Sequence, residues 1–264
     1  MKDSFYWKGL RLWIQGLLLL CLRWAQLRGG FDPETGLSLP SVPGMVLAAA
    51  ILFLAAAEAV LCLRLPKGKR AYGSCVAPAG QAPLPFLAAG SLLLGGGSVL
   101  LPGWSTLSIA AAAAGIAAAL GLLFFMKQAR GGAEARALPL LPSMVFSVLF
   151  LLTVYLPEES NPVLARYYLP VLAAALIACA FYQLAGLTRR EGTLGWFVFF
   201  GDMAVPLSLA ALADGGSNWG QALVFAGCAL VLTVFLTLRR AEPLPEPEPE
   251  EPEGRDAGAE PGQA

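Results

Sequence analysis

The 264-residue chain has no histidine, and charged residues make up only 14% of it. The first absence removes Ser-His-Asp and Cys-His nucleophiles, the His-Glu-x-x-His zinc site and any histidine proton relay. The second sets the chain apart from soluble domains, in which about a quarter of residues are charged. The five cysteines, Cys21, Cys62, Cys75, Cys179 and Cys228, form no Cys-x-x-Cys pair, so neither a thiolate metal site nor a disulfide scaffold is indicated. Four of them fall in apolar runs and read as small apolar residues. Cys75, beside basic residues, is the one thiol placed for acylation or redox chemistry. A Gly-X-Y period and a charged heptad are also missing, which excludes collagen and coiled coil. The Gly95-Gly96-Gly97 run precedes no Lys-Ser/Thr pair, so it is no phosphate loop and reads as a close helix contact.

What is present is apolar length. Hydrophobic residues make up 57% of the chain, at a mean hydropathy of +0.65. A hydrocarbon core about 30 Å thick takes roughly 20 apolar residues per helix, and eight such segments can be laid out. They run over about 10–27, 45–65, 85–101, 106–126, 140–156, 163–187, 194–213 and 219–238. Leu/Ala-rich composition without period-2 alternation excludes barrel strands. The fold expected is therefore an all-α, eight-span transmembrane bundle over 1–240. The turn at 102–105 leaves two arrangements open for the third and fourth segments, a tight hairpin or a re-entrant excursion.

The last 24 residues differ in kind. From Ala241 onward eight acids face Arg255 alone, a net charge of −7 against +7 for the first 240 residues. Alternating Pro and Glu offers no apolar face, so 241–264 is expected to be a disordered cytoplasmic tail.

Orientation follows from lysine and arginine. With the N-terminus inside, 15 of the 18 basic residues fall in cytoplasmic segments. The other three, Arg23, Arg28 and Arg166, sit near outer span ends, where long side chains can snorkel to headgroups. Outer loops carry Asp32, Glu34, Glu158, Glu159 and Asp214 instead. Both termini are thus expected in the cytoplasm. Tyr and Trp residues cluster at span ends, as interfacial belts do.

Polar residues within spans are the remaining signal, because a charge at the centre of a membrane helix costs about 2.5–3.5 kcal/mol on insertion scales. Glu58 lies about 9 Å, and Asp202 about 12 Å, from the inner side of its span. Gln15 and Gln183 fall in the same inner half, so the four could form one polar layer. No basic residue is expected at that depth to pair with the carboxylates. The layer reads either as polar groups satisfied across helices, the carboxyls protonated by burial, or as a proton, cation or solute site. Pro206, four residues after Asp202, removes the N–H that would bond the Asp202 carbonyl.

The FDPETGL run at 31–37, RYYLPVLAAALIACAFYQLA at 166–185 and Ala211-Leu212-Ala213-Asp214 resemble a group of multi-pass membrane proteins of clostridial bacteria that carries no assigned activity. The resemblance implies topology and localisation only, a multi-pass protein of the bacterial plasma membrane. Gly201-Asp202 in an apolar helix is similar to the Gly-Asp pair of lysoplasmalogenase-like membrane hydrolases. Three functions follow as expectations. The first is a non-enzymatic membrane protein, transporter-like or an accessory subunit, binding an ion or solute in the polar layer. The second is a hydrolase of a lipid-derived substrate with Glu58 and Asp202 as acid and base. The third is a scaffold whose acidic tail recruits a protein. No cofactor, metal or nucleic acid is implied; the lipid bilayer is the one partner implied directly, and no catalytic residue is assigned.

Overall fold

The computed structural model describes residues 2–32, 37–65, 68, 72–76, 83–101, 105–130, 138–159 and 163–238. The tail from Ala241, most of the 66–71 segment and the 102–104 turn lie outside them. Helix α1 is Lys2–Gly29, α2 Val42–Leu63, α3 the single turn Tyr72–Cys75, and α4 Leu84–Val99. Then come α5 Thr106–Arg130, α6 Leu141–Tyr155, α7 Leu164–Thr188, α8 Leu194–Ala211 and α9 Trp219–Thr237. Each apolar segment forms one helix, and among the described residues there is no strand, only the isolated bridge between Phe31 and Ser38. Helix starts use expected chemistry: Ser41 caps α2 from its hydroxyl with Pro43 in the first turn, and Asn218 Oδ1 accepts the Gln221 N–H of α9 at 3.1 Å.

Six helical stretches are long and apolar enough to cross a membrane, in place of the eight expected: 42–63, 106–128, 138–158, 166–188, 194–214 and 219–237. Helix α4 falls short on length, its 16 residues rising about 24 Å. Helix α1 has the length, but Arg11, Gln15, Arg23 and Gln26 dilute its apolar character.

Side-chain contacts fix the direction in which each helix runs against its neighbours. Trp13 Nε1 donates to Thr233 Oγ1 at 3.2 Å, and Gly9 lies against Thr237, so α1 and α9 are antiparallel. Gly90 meets Gly227 and Gly97 meets Gly220, an antiparallel seam between α4 and α9 at a seven-residue spacing on each helix. Ser98 lies on Gly115, and Gly95 on Ala119, which makes α4 and α5 an antiparallel hairpin. Gly44 meets Gln26 at one end of α1 and α2, and Glu58 meets Arg11 at the other. Helices α1 and α8 instead run parallel, since Arg11 pairs with Asp202 and Arg23 with Asp214 at one constant sequence offset.

Helix α8 is the axis of the bundle. Its apolar window is 72% buried, against 22% for α2, and every residue from Gly201 to Ala211 is enclosed. Packing against it comes chiefly from α7, α1, α9 and α2. The outward faces are apolar too: Leu52, Phe53, Leu92, Leu120 and Trp219 are exposed. So large an exposed apolar surface calls for a lipid surrounding. Helix α3 departs from the loop expected around Cys75. It inserts Tyr72 and Cys75 into the core, with the Tyr72 ring edge-on to Phe125 at 5.1 Å. Burial pushes the Tyr72 phenol up from its ordinary range. The Cys75 side chain is fully enclosed, so the acylation or redox role expected of it has no access.

Candidate functional site

Arginine is the element that sequence reasoning misplaced, and α1 carries it twice. Towards its start, Arg11 Nη2 lies 3.0 Å from Asp202 Oδ2 and 3.2 Å from Glu58 Oε1. Both carboxylates are almost wholly enclosed, whereas the arginine reaches them from a side chain 42% exposed. Sharing one nitrogen keeps the two carboxyl groups within about 6 Å of each other, close enough for direct coupling at low dielectric. A basic residue therefore does stand at this depth. The cation the pair shares is a guanidinium supplied by α1.

Twelve residues on, about 18 Å along the helix, Arg23 is completely buried. The expected snorkelling does not occur. Arg23 Nη2 donates to Asp214 Oδ1 at 2.6 Å and to the Arg166 carbonyl at 2.7 Å. Nε donates to both Asp214 oxygens at 3.1 Å, and Nη1 to Gln26 Oε1 at 2.8 Å. The guanidinium also lies over the Tyr168 ring, 5.5 Å from its centre. A planar five-donor fork suits this multiple pairing, which a lysine could not reproduce. Asp214, assigned to an outer loop from sequence, is the anchor that lets an arginine stay inside the bundle. Arg28 behaves nearer to expectation, stacked 3.8 Å over the exposed Trp24 ring.

The other two residues of the expected polar layer part company. Gln15 lies one turn beyond Arg11, and its buried Oε1 has no hydrogen-bond partner among the described residues. Gln183 lines a separate cavity beside Arg189 and Glu191.

Space for a ligand lies elsewhere. A cavity of about 860 Å³ opens at the end of the bundle that holds Arg23. Its lining combines the charges of Glu158, Arg166 and Asp214 with the hydroxyl residues Thr153 and Tyr167 and the amide of Gln221. Three further polar residues on its wall also close helix ends. Ser105 and Ser108 cap the start of α5 reciprocally, each hydroxyl accepting the other's N–H at 3.0–3.1 Å, and Asn218 caps α9. The Arg23–Asp214 pair thus forms the floor of the cavity, with only Asp214 reaching its surface. Neither Glu58 nor Asp202 lines this cavity or the two smaller ones at the opposite end.

Comparison with family models, with curated proteins and with solved structures gives no match. The chemistry of the chain thus rests on its own geometry. Among the described residues no cluster of three or more Cys, Asp or Glu side chains is arranged to hold a metal. Sequence reasoning missed the vestibule because its residues come from the ends of seven helices. One signal pointed to it: Arg23 and Asp214 are separated from Arg11 and Asp202 by the same twelve positions.

Proposed function

We propose that the protein is an eight-span integral membrane protein of the bacterial plasma membrane. Both termini are cytoplasmic, and its work is the non-enzymatic binding of a small polar solute in the outer vestibule, as a transporter-like or accessory component. The span count is supported by helix direction. Helices α2 and α5 run the same way, so the chain has to return between them, and α4 is the helix available to do so. Helix α1 keeps register with α8 over the distance between its two arginines. Their charges, which lower its hydropathy, are matched inside the bundle. The 15-to-3 division of basic residues then sets α1 running outward and puts the Arg23 end outside.

The observation that carries the solute reading is the cavity of about 860 Å³, whose polar lining lies at that outer end. Sites for small molecules occupy about 300–1,000 Å³ and use a few convergent polar groups. Glu158 and Arg166, of opposite charge in its lining, favour a neutral or zwitterionic solute over a highly charged one. An acid and base pair at Glu58 and Asp202 is not favoured. Both oxygens face a guanidinium, and neither lines a cavity that would admit a substrate.

A cysteine introduced at Gln221 tests this reading. In intact cells Gln221→Cys should react with a membrane-impermeant maleimide added outside, above the level of the parent protein. Glycine, glutamate, lysine, glucose and maltose at millimolar concentration are the probes for protection, and at least one should slow the reaction several-fold. Labelling that requires cell lysis, or that none of the five slows, would contradict the vestibule as the site of these solute classes.

A further inference from the structure

Two cavities meet where α8 begins. One, about 490 Å³, lies between α2 and α8 and is lined mainly by apolar groups, among them Cys62, Leu63, Leu65 and Phe199. The other, about 270 Å³, lies among α6, α7 and the turn into α8 and presents Gln183, Arg189 and Glu191. Thr193 and Trp196 line both, so an apolar and a polar cavity adjoin at these two side chains.

The shared residues are placed for an amphiphile. Trp196, half exposed, stacks on Phe200 at 5.5 Å and meets Phe199 edge-on at 6.1 Å, an aromatic wall at the apolar half. The Thr193 hydroxyl is buried without a hydrogen-bond partner among the described residues. Thr193 stands at the N-cap of the 18-residue α8 yet makes no side-chain capping bond, so no side chain of the cap residue takes up the first N–H groups of the helix. Thr193, at the N-terminus of α8, and Arg189 both line the polar half, donors of the kind that bind a phosphate group. Glu191 in the same cavity opposes a second negative charge on the ligand and offers an acceptor to an ammonium group.

We infer that these two adjoining cavities together bind a primary-amine phospholipid, with its phosphate on Arg189 and Thr193, its ammonium on Glu191 and an acyl chain along Trp196 and Phe199. Its assignment to the inner leaflet rests on the orientation proposed above; the site itself does not. Free phosphate would satisfy the polar half alone and leave the adjoining apolar half without an occupant.

Native mass spectrometry of the full-length protein, purified in detergent with equal amounts of phosphatidylethanolamine, phosphatidylglycerol and phosphatidylcholine, tests the assignment. Phosphatidylethanolamine should be retained about tenfold over phosphatidylcholine, because only a primary ammonium donates hydrogen bonds to Glu191. Arg189→Gln should remove that retention, and Glu191→Gln should bring phosphatidylglycerol up to the level of phosphatidylethanolamine. Both side chains are exposed, so neither change threatens the fold. Equal retention of the three lipids, a wild-type preference for phosphatidylglycerol, or a preference that survives Arg189→Gln would overturn the inference. Retention is read in detergent and owes nothing to sidedness, so a wrong orientation and a wrong lipid site fail in different experiments.

Discussion

Asp214→Leu is expected to destabilise the solubilised protein by about 3–5 kcal/mol, the cost of leaving one member of a buried ion pair without its partner. The guanidinium of Arg23 has no exposed surface, and three of the bonds that hold it end on Asp214. Without the carboxylate, the Gln26 side chain and the Arg166 carbonyl remain to it as neutral acceptors facing a full charge. Arg23→Met should cost less, because Asp214 lies on the vestibule surface and can take up water. Combining Arg23→Met with Asp214→Leu should recover most of the loss, since an apolar pair replaces a buried ionic one at little net cost. Thermal unfolding in detergent, followed by size-exclusion fluorescence, separates the cases. An Asp214→Leu protein as stable as the native one, or a double variant worse than either single change, would show that the pair does not carry the outer end.

Gly227→Leu should part α4 from α9. A side chain there would meet the Gly90 carbonyl oxygen and the Leu94 amide nitrogen, each 2.6 Å from the added Cβ. Both obstacles are backbone, so no rotamer relieves them and the helices have to separate. Overpacking a tight contact costs about 1–3 kcal/mol, and a seam between membrane helices held by close van der Waals approach lies at the upper end of that range. Gly96 supplies the control, because a Cβ there meets nothing within 4 Å. Gly96→Ala should leave the melting temperature unchanged or raise it slightly, through the better helix propensity of alanine. Equal losses at Gly227 and Gly96 would mean that composition, and not contact, explains the glycines.

Helix positions were legible in the chain because apolar runs ended by Pro, Gly and charge leave little choice of boundary. Segment 194–213, for example, becomes Leu194–Ala211, and 219–238 becomes Trp219–Thr237. The glycines of α4 were read as contacts on the same logic, though the structure uses Gly90 and Gly97 against α9 while Gly96 faces open space. Which helix neighbours which was not legible. Arg11 looked like one more cytoplasmic charge because its distance from the span start says nothing of the helix beside it. Once α1 packs on α8, the same residue becomes the partner of Glu58 and Asp202. Arg23 was misread for the same reason, its acceptor lying 191 positions away. The vestibule is harder still, since its polar residues are scattered over loops and first turns where polarity is the ordinary expectation.

The alternating eight-span path is the claim on which the vestibule's sidedness depends, and paired reporter fusions after Gly68 and Gly132 in bacterial cells test it most directly. These points bracket α4 and α5, the hairpin whose first helix is only 16 residues long. If α4 and α5 both cross, these two fusions report cytoplasm and a third placed after Gly103 reports the outside, whereas a re-entrant excursion of the pair gives no extracytoplasmic signal at the third. The first two reporters on opposite faces would mean that α4 turns back within the membrane, and both of them outside would invert the protein and put the vestibule inside the cell.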